Sequence, residues 1–308
     1  MVCIRVPGTS ANLGPGFDAL ALALSIYNYV EVEAGPAVNL PLKIEVQGEG
    51  AADLAQDEKN LVFKALKNAF DYRGQAIPAL SLRLVNNIPI ARGLGSSAAA
   101  IVGGLVAANQ LLNLPLEQEE MLELATKMEG HPDNVSAALL GGLVISCSAE
   151  DKTHYFKTQF PAGVKSVVAV PEFRVSTKEA RDVLPKSLSR EQAVFNLSRT
   201  ALLTAGLLTN DLSVLSVALD DKLHQPYRSS LVPGMPAVFT AAKEAGALGV
   251  ALSGAGPSVI AFTKDNALAI EAAMKRAFQD HGVEAQTIIT TPTAQGAEVL
   301  PELRVCTA

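Results

Sequence analysis

One segment restricts the fold more than any other: Pro89-Ile90-Ala91-Arg92-Gly93-Leu94-Gly95-Ser96-Ser97-Ala98, set between stretches of different periodicity. Before it, Leu80, Leu82 and Leu84 alternate with Ser81 and Arg83, the two-residue repeat of a strand. After it, an apolar, alanine-rich stretch to Leu112 reads as a buried helix. Gly93 and Gly95 allow positive φ and a close backbone approach to a ligand. The helix that follows offers free N–H groups and the positive end of its dipole. Such an end favours an anion by about 0.3–1 kcal/mol when exposed and up to about 2 kcal/mol when partly buried. Several amides together can cradle a triphosphate, with Ser96 or Ser97 offering a hydroxyl to a phosphate or to Mg²⁺. Taken alone, the segment reads equally well as a glycine turn with a serine cap.

The common phosphate-binding signatures do not fit. There is no G-x-x-x-x-G-K-[ST] and no H-R-D or D-F-G element. Gly93-Leu94-Gly95-Ser96-Ser97-Ala98 does satisfy G-x-G-x-x-A. A dinucleotide site, however, needs an acidic residue about 20 positions on, at the end of a second strand. Leu114–Glu120 occupies that region and starts a helix instead.

Two further loops share this character. Pro7-Gly8-Thr9-Ser10-Ala11-Asn12-Leu13-Gly14-Pro15-Gly16-Phe17-Asp18 reads as a long loop after a first strand over Val2–Val6. All its Asn, Gly, Pro and Asp suit turns, yet one amide and one carboxylate on a restricted backbone can also hold a hydroxyl or an ammonium. Ser253-Gly254-Ala255-Gly256-Pro257-Ser258 joins two short strands, Gly249–Leu252 and Ser258–Phe262.

Composition narrows the partners. With 25 Lys+Arg against 31 Asp+Glu there is no basic excess to track a nucleic-acid backbone. Aromatics are 5% and Trp is absent, which argues against base-stacking platforms. The longest apolar run, Ala98–Ala108, is about 11 residues, short of the ~18 needed to span a bilayer. The N-terminal residues lack a signal-peptide layout, and Cys3, Cys147 and Cys306 are scattered with no metal or redox spacing. A cytoplasmic enzyme with no membrane or nucleic-acid partner is expected. Nothing in the sequence fixes the oligomeric state; a homodimer is admitted.

Along the chain, strands are expected at Ile26–Glu33 and Leu42–Val46, and Asn60 suits the N-cap of a helix. A Glu-rich helix runs from Pro115 to Met128. Helix, break and strand follow over Val135–Leu140 and Gly141–Ile145. The polar stretch Cys147–Gly163 suggests a boundary, with domains of 1–160 and 161–308. Beyond it, Val167–Val170 is a strand, Ser176-Thr177-Lys178-Glu179 is a capping box, and Ala267–Phe278 and Ala285–Thr290 are a helix and a closing strand. The pattern is two α+β units.

The three loops, in order and spacing over essentially the whole chain, resemble the three motifs of the GHMP kinase superfamily. Three other segments resemble its homoserine-phosphorylating members: Glu129-Gly130-His131-Pro132-Asp133-Asn134, Ser176–Arg181 leading to Pro185, and His224-Gln225-Pro226-Tyr227-Arg228 before Pro233-Gly234. The resemblance implies a two-domain α+β fold. Its N-terminal domain has a left-handed βαβ phosphate-binding unit where the usual rule gives right-handed crossovers, its C-terminal domain is ferredoxin-like, and the site lies between them.

The resemblance further implies ATP phosphates on Pro89–Ala99, with Ala99 closing the segment. It implies Mg²⁺ on Ser97 and a glutamate of the following helix, Glu123 first and Glu129 second. L-homoserine is the implied substrate and O-phospho-L-homoserine the product. Arg181 and Arg228 are assigned to the carboxylate, which a planar guanidinium matches bidentately. Asn12 and Asp18 are the amino-acid-binding pair, with Asp18 suited to the ammonium; His131, Thr177 and Gly254 are further substrate contacts. Mevalonate-type relatives carry Pro-Ser-Gly-x-Asp, whose Asp is a base. Here the shorter Gly130–Asn134 segment replaces it, so either Asn134 or His131 orients the hydroxyl, or Asp133 acts as base. Other small alcohols, or a nucleotide- or metabolite-binding sensor without turnover, are the competing readings.

Overall fold

The computed structural model describes residues 1–35, 41–150 and 152–300; Cys306 lies outside them. Two sheets organise the chain. The first holds β1 (Val2–Ala11), β2 (Leu20–Ala34), β3 (Leu42–Gly48), β4 (Leu80–Asn86), β5 (Leu143–Ala149), β6 (Lys152–Thr158) and β11 (Glu298–Leu300). Its order is β11-β1-β2-β4-β3, with β5 also on β2 and β6 on β5. Only β3 and β4 run parallel, joined through α1 (Leu61–Tyr72), which Asn60 caps by accepting from the Val62 N–H. The second sheet has order β10-β7-β9-β8, all antiparallel. It comprises β7 (Lys165–Pro171), β8 (Gly249–Leu252), β9 (Val259–Thr263) and β10 (Ala285–Thr290). With helices between β7 and β8 and a helix over Ala267–Gln279 between β9 and β10, this is the β-α-β-β-α-β arrangement expected of a ferredoxin-like unit.

Three sequence expectations shift. Pro7–Ala11 is not loop: β1 continues through it, paired to β2, with the register slipping between Pro7 and Gly8. A bulge absorbs the proline, which cannot donate to the ladder. The polar stretch after Cys147 is largely a hairpin, β5 against β6. The polar residues sit there because β6 is mostly solvent-facing. The 160/161 division separates the two sheets up to Thr290, but the chain then returns: Pro292 bridges Leu24 and β11 pairs with β1.

The core follows the patterning. α2 (Ser96–Asn109) buries both faces against α1 and β1, from Ala98 to Ala108, as an apolar helix without a polar face must. Gly104 there has no room for a side chain; a Cβ would lie 2.3 Å from the Val62 carbonyl oxygen. No helix among the described residues is long and apolar enough to cross a membrane.

Candidate active site

A cleft of about 390 Å³ lies between the two sheets, and all three glycine loops reach it. The volume falls within the range of small-ligand sites. The phosphate-type loop leaves β4 and enters α2 with Gly93 at φ 75° and Gly95 at φ 72°. Both glycines are required by contact as well as by conformation. A Cβ on Gly93 would lie 2.1 Å from the Ser253 carbonyl, and one on Gly95 would lie 1.9 Å from Thr9 Oγ1.

The loops are stitched to one another. Thr9 N–H donates to Leu94 O at 3.0 Å, and Gly254 N–H to Ala11 O at 3.0 Å. Ser253 Oγ donates to Gly93 O at 2.7 Å, and Asn12 Nδ2 to Gly254 O at 2.7 Å. Asn12, Asp18 and Ala91 all line the cleft with φ of 69°, 54° and 53°. Non-glycine residues in that region cost about 1–3 kcal/mol each and persist where surrounding contacts over-determine them. The bond to Gly254 holds Asn12, the Asn12 side chain and Arg181 hold Asp18, and the Ala91 carbonyl accepts from the Val175 N–H at 3.3 Å.

Ser97 stands in the first turn of α2, its Oγ donating to Glu129 Oε2 at 2.8 Å. Glu129 ends α3 (Gln118–Glu129), which stops because Gly130 takes φ 91°. Glu123 does not line the cleft, whereas Glu129 does. Six residues separate them, roughly 9 Å along a helix axis, so the helix's last residue and not its middle faces Ser97. Pro89, Ala98 and Ala99 also fall outside the lining, Ala98 and Ala99 being buried in the core. Ile90 through Ser97 do line it. The Arg92 guanidinium is turned away, donating to the carbonyls of Ile90, Pro171 and Glu172.

Across the cleft, α4 (Asp133–Leu140) begins at a buried Asp133. Its Oδ1 accepts from Asn134 N–H at 2.7 Å and lies 2.5 Å from His131 Nδ1. Burial of the His131 ring disfavours its charge. The hydrogen bond and charge of Asp133, aided by Glu129 and Asp18, outweigh this and raise the pKa. Asn134 Oδ1 accepts from Thr9 Oγ1 at 2.8 Å, which orients the amide.

The amino-acid side is built by α5 (Thr177–Asp182), capped by Ser176 with Glu179, and by the short helix Gln225–Arg228. Arg181 pairs with Asp18. Arg228 is 2% exposed, and its hydrogen bonds go to Ala180 O, Gly254 O and His224 Nδ1, all neutral. Burial, then the neighbouring Arg181, pulls its pKa down to about 10, so it stays charged. A buried cation without a carboxylate bound to it favours an anionic ligand.

Asn12, Asp18, Thr177, Arg181, Arg228, His131, Asp133, Asn134 and Gly254 therefore meet in one cleft. Sequence reasoning missed its far end, lined by Leu54, Asn60, Leu61, Val62, Leu84 and Asn86. These belong to no motif, and their only signal was the capping role of Asn60.

Residues 60–142 match the family described as GHMP kinases N terminal domain, and 203–280 match GHMP kinases C terminal. The chain is 50% identical over 297 residues to a homoserine kinase of Carboxydothermus hydrogenoformans, covering 96% of each. It is 44% identical over 300 residues to that of Moorella thermoacetica, covering 97% of this chain and all of the other. The crystal structure of homoserine kinase from Cytophaga hutchinsonii superposes with TM-score 0.88 at 33% identity, covering 97% of both chains. The crystal structure of L. major mevalonate kinase in complex with R-mevalonate shares the fold, with TM-score 0.66 at 18% identity and 94% and 95% coverage. The expected α+β architecture is that of these neighbours. This chain belongs to the GHMP kinase family and, within it, to the homoserine kinases.

Proposed function

We propose that the protein transfers the γ-phosphoryl group of ATP to the side-chain hydroxyl of L-homoserine, giving O-phospho-L-homoserine and ADP. One observation carries the choice of substrate: buried Arg228, whose hydrogen-bond partners among the described residues are all neutral, stands near Arg181 and Asp18 in the cleft that the phosphate-type loop also lines. Two guanidinium groups suit a carboxylate and Asp18 suits an ammonium. The nucleotide phosphates lie on the Gly93–Ser97 amides in this reading, and the nucleoside extends toward Leu54, Asn60 and Asn86.

The substrate hydroxyl oxygen forms the new bond to Pγ as the bond from Pγ to the β,γ-bridging oxygen breaks. Its proton passes to an oxygen of the transferred phosphoryl group. A loose transition state places most of the work on positioning and charge neutralisation. Asn134, fixed by Thr9, and His131 orient the hydroxyl. Asp133 is already engaged by His131 and the Asn134 amide, which supports a structural anion over a base. Ser97 and Glu129 bring a hydroxyl and a carboxylate together, the hard oxygen set Mg²⁺ takes. They would hold it, and it would neutralise phosphate charge there. A cytoplasmic location belongs to the same proposal.

The test is product identification: ³¹P NMR of a reaction containing ATP, MgCl₂ and L-homoserine. A new phosphomonoester resonance with equimolar ADP is expected; ADP without the ester contradicts the assignment.

A further inference from the structure

Behind the wall of the cleft, and fully buried, is His224. Its Nε2 lies 2.7 Å from the carbonyl oxygen of Gly14, in the loop between Asn12 and Asp18. A carbonyl can only accept, so Nε2 carries the proton and Nδ1 presents a lone pair. At Nδ1 sits Arg228 Nη1, 3.3 Å away. The imidazole thus spans the two halves of the amino-acid site, one nitrogen on the loop and the other on the guanidinium. Its ring also stands 5.3 Å from that of Phe17. Over the same Phe17 ring lie the guanidinium carbons of Arg181, at 5.4 Å, and Arg228, at 5.3 Å.

His224 is itself held in place. Asp221, also buried, accepts the N–H of His224 at 2.8 Å and of Gln225 at 2.6 Å, and is bound by Asn196 Nδ2 at 2.7 Å. The charged groups facing the ring are Asp221, Arg228 and Asp18.

We propose that His224 is a positioning residue: as the neutral Nε2–H tautomer it ties the Asn12–Asp18 loop to Arg228 and so fixes the spacing between the ammonium-binding and carboxylate-binding groups. This rests on the functional reading above and deepens it. A buried histidine that served only the core would have no reason to accept from a cleft guanidinium. Its loss would also lower stability without discriminating between the two substrates.

Two near-isosteric variants separate its two bonds. His224→Gln carries an amide nitrogen near the place of Nε2 and retains the donor to Gly14, but it loses the acceptor for Arg228. His224→Asn carries an oxygen near the place of Nδ1 and does the reverse. Each is expected to raise KM for homoserine roughly tenfold, and His224→Leu, losing both bonds, roughly tenfold to hundredfold. KM for ATP should stay within about twofold, and kcat should fall by less than KM rises. Phe17→Leu, which retains apolar volume beside the His224 ring and the two guanidinium groups, should raise KM for homoserine in the same selective way and guards against a folding defect peculiar to position 224. The role is overturned if the folded variants show equal changes in both KM values, or a lowered Tm with KM for homoserine unchanged. Wild-type turnover in the same series separates the two claims. Absence of homoserine turnover overturns the functional reading, whereas normal turnover with a flat KM ratio overturns only the role of His224.

Discussion

Arg181 holds Asp18 through two parallel hydrogen bonds, Nη2 to Oδ1 at 2.8 Å and Nη1 to Oδ2 at 3.0 Å. Both side chains keep about a third of their exposure (37% and 34%), so the pair contributes only about 0.2–1 kcal/mol. A zwitterionic amino acid can therefore replace it cheaply, its carboxylate taking Arg181 and its ammonium taking Asp18. A ligand with only one of those charges would leave the other residue unpaired. The pair is thus a template for a zwitterion.

Arg181→Lys should lower kcat/KM for homoserine about tenfold to hundredfold, since a point ammonium cannot reproduce the fork and a charged hydrogen bond is worth roughly 1.5–3 kcal/mol. ATP affinity should hold. By the same logic 4-hydroxybutyrate and 3-aminopropan-1-ol, each carrying one of the two charges, should be poor substrates. Steady-state kinetics with the three alcohols checks both statements.

The Asp133–His131–Asn134 cluster separates two mechanisms. If Asp133 were the general base, Asp133→Asn would cost on the order of 10²–10⁴ in the chemical step. The contacts found here predict a smaller chemical-step loss for Asp133→Asn than for Asn134→Ala or His131→Ala, because misplacing the hydroxyl is costly. Single-turnover phosphoryl transfer on folded variants measures this, and the reverse ranking would make Asp133 catalytic.

The His131–Asp133 pair also sets a pH dependence. The folded pKa of His131 is raised above its ordinary 6.5, so the native state binds the proton more tightly than the unfolded chain. Its contribution to stability is full below about pH 6.5 and is lost as pH rises through the raised value. Unfolding free energy measured from pH 5.5 to 9 should carry a falling component over that window, and His131→Gln should remove it.

Much of this site was legible in the sequence because glycine and proline mark the loops directly, whereas Arg181 and Arg228 follow from the family resemblance and lie on helices. The rest depends on geometry that no local pattern encodes. Whether Glu123 or Glu129 meets Ser97 is decided by where α3 stops, at Gly130. Pro7-Gly8 reads as a turn, yet pairing with β2 carries the strand through it by a bulge. Arg92 sits in the phosphate-type loop but is claimed by carbonyls at the end of β7. The short β11 forms only because the chain returns to β1 after crossing the second sheet.

Metal affinity tests the glutamate directly. Glu129→Gln should raise the Mg²⁺ concentration needed for half-maximal activity by about tenfold or more, the scale reported for lost metal-site partners. Glu123→Gln should leave it unchanged. Equal effects would remove Glu129 from the metal site.

On the proposed function, this cleft selects a zwitterionic amino alcohol as phosphoryl acceptor. ADP release measured side by side with L-homoserine, mevalonate, galactose and shikimate tests it most directly. Homoserine is predicted to give the highest kcat/KM, by at least about a hundredfold, because mevalonate and shikimate lack the ammonium and so leave Asp18 without its partner once Arg181 is engaged, while galactose lacks both charges and engages neither residue. Comparable or faster turnover of mevalonate or galactose, with homoserine inert, would contradict it.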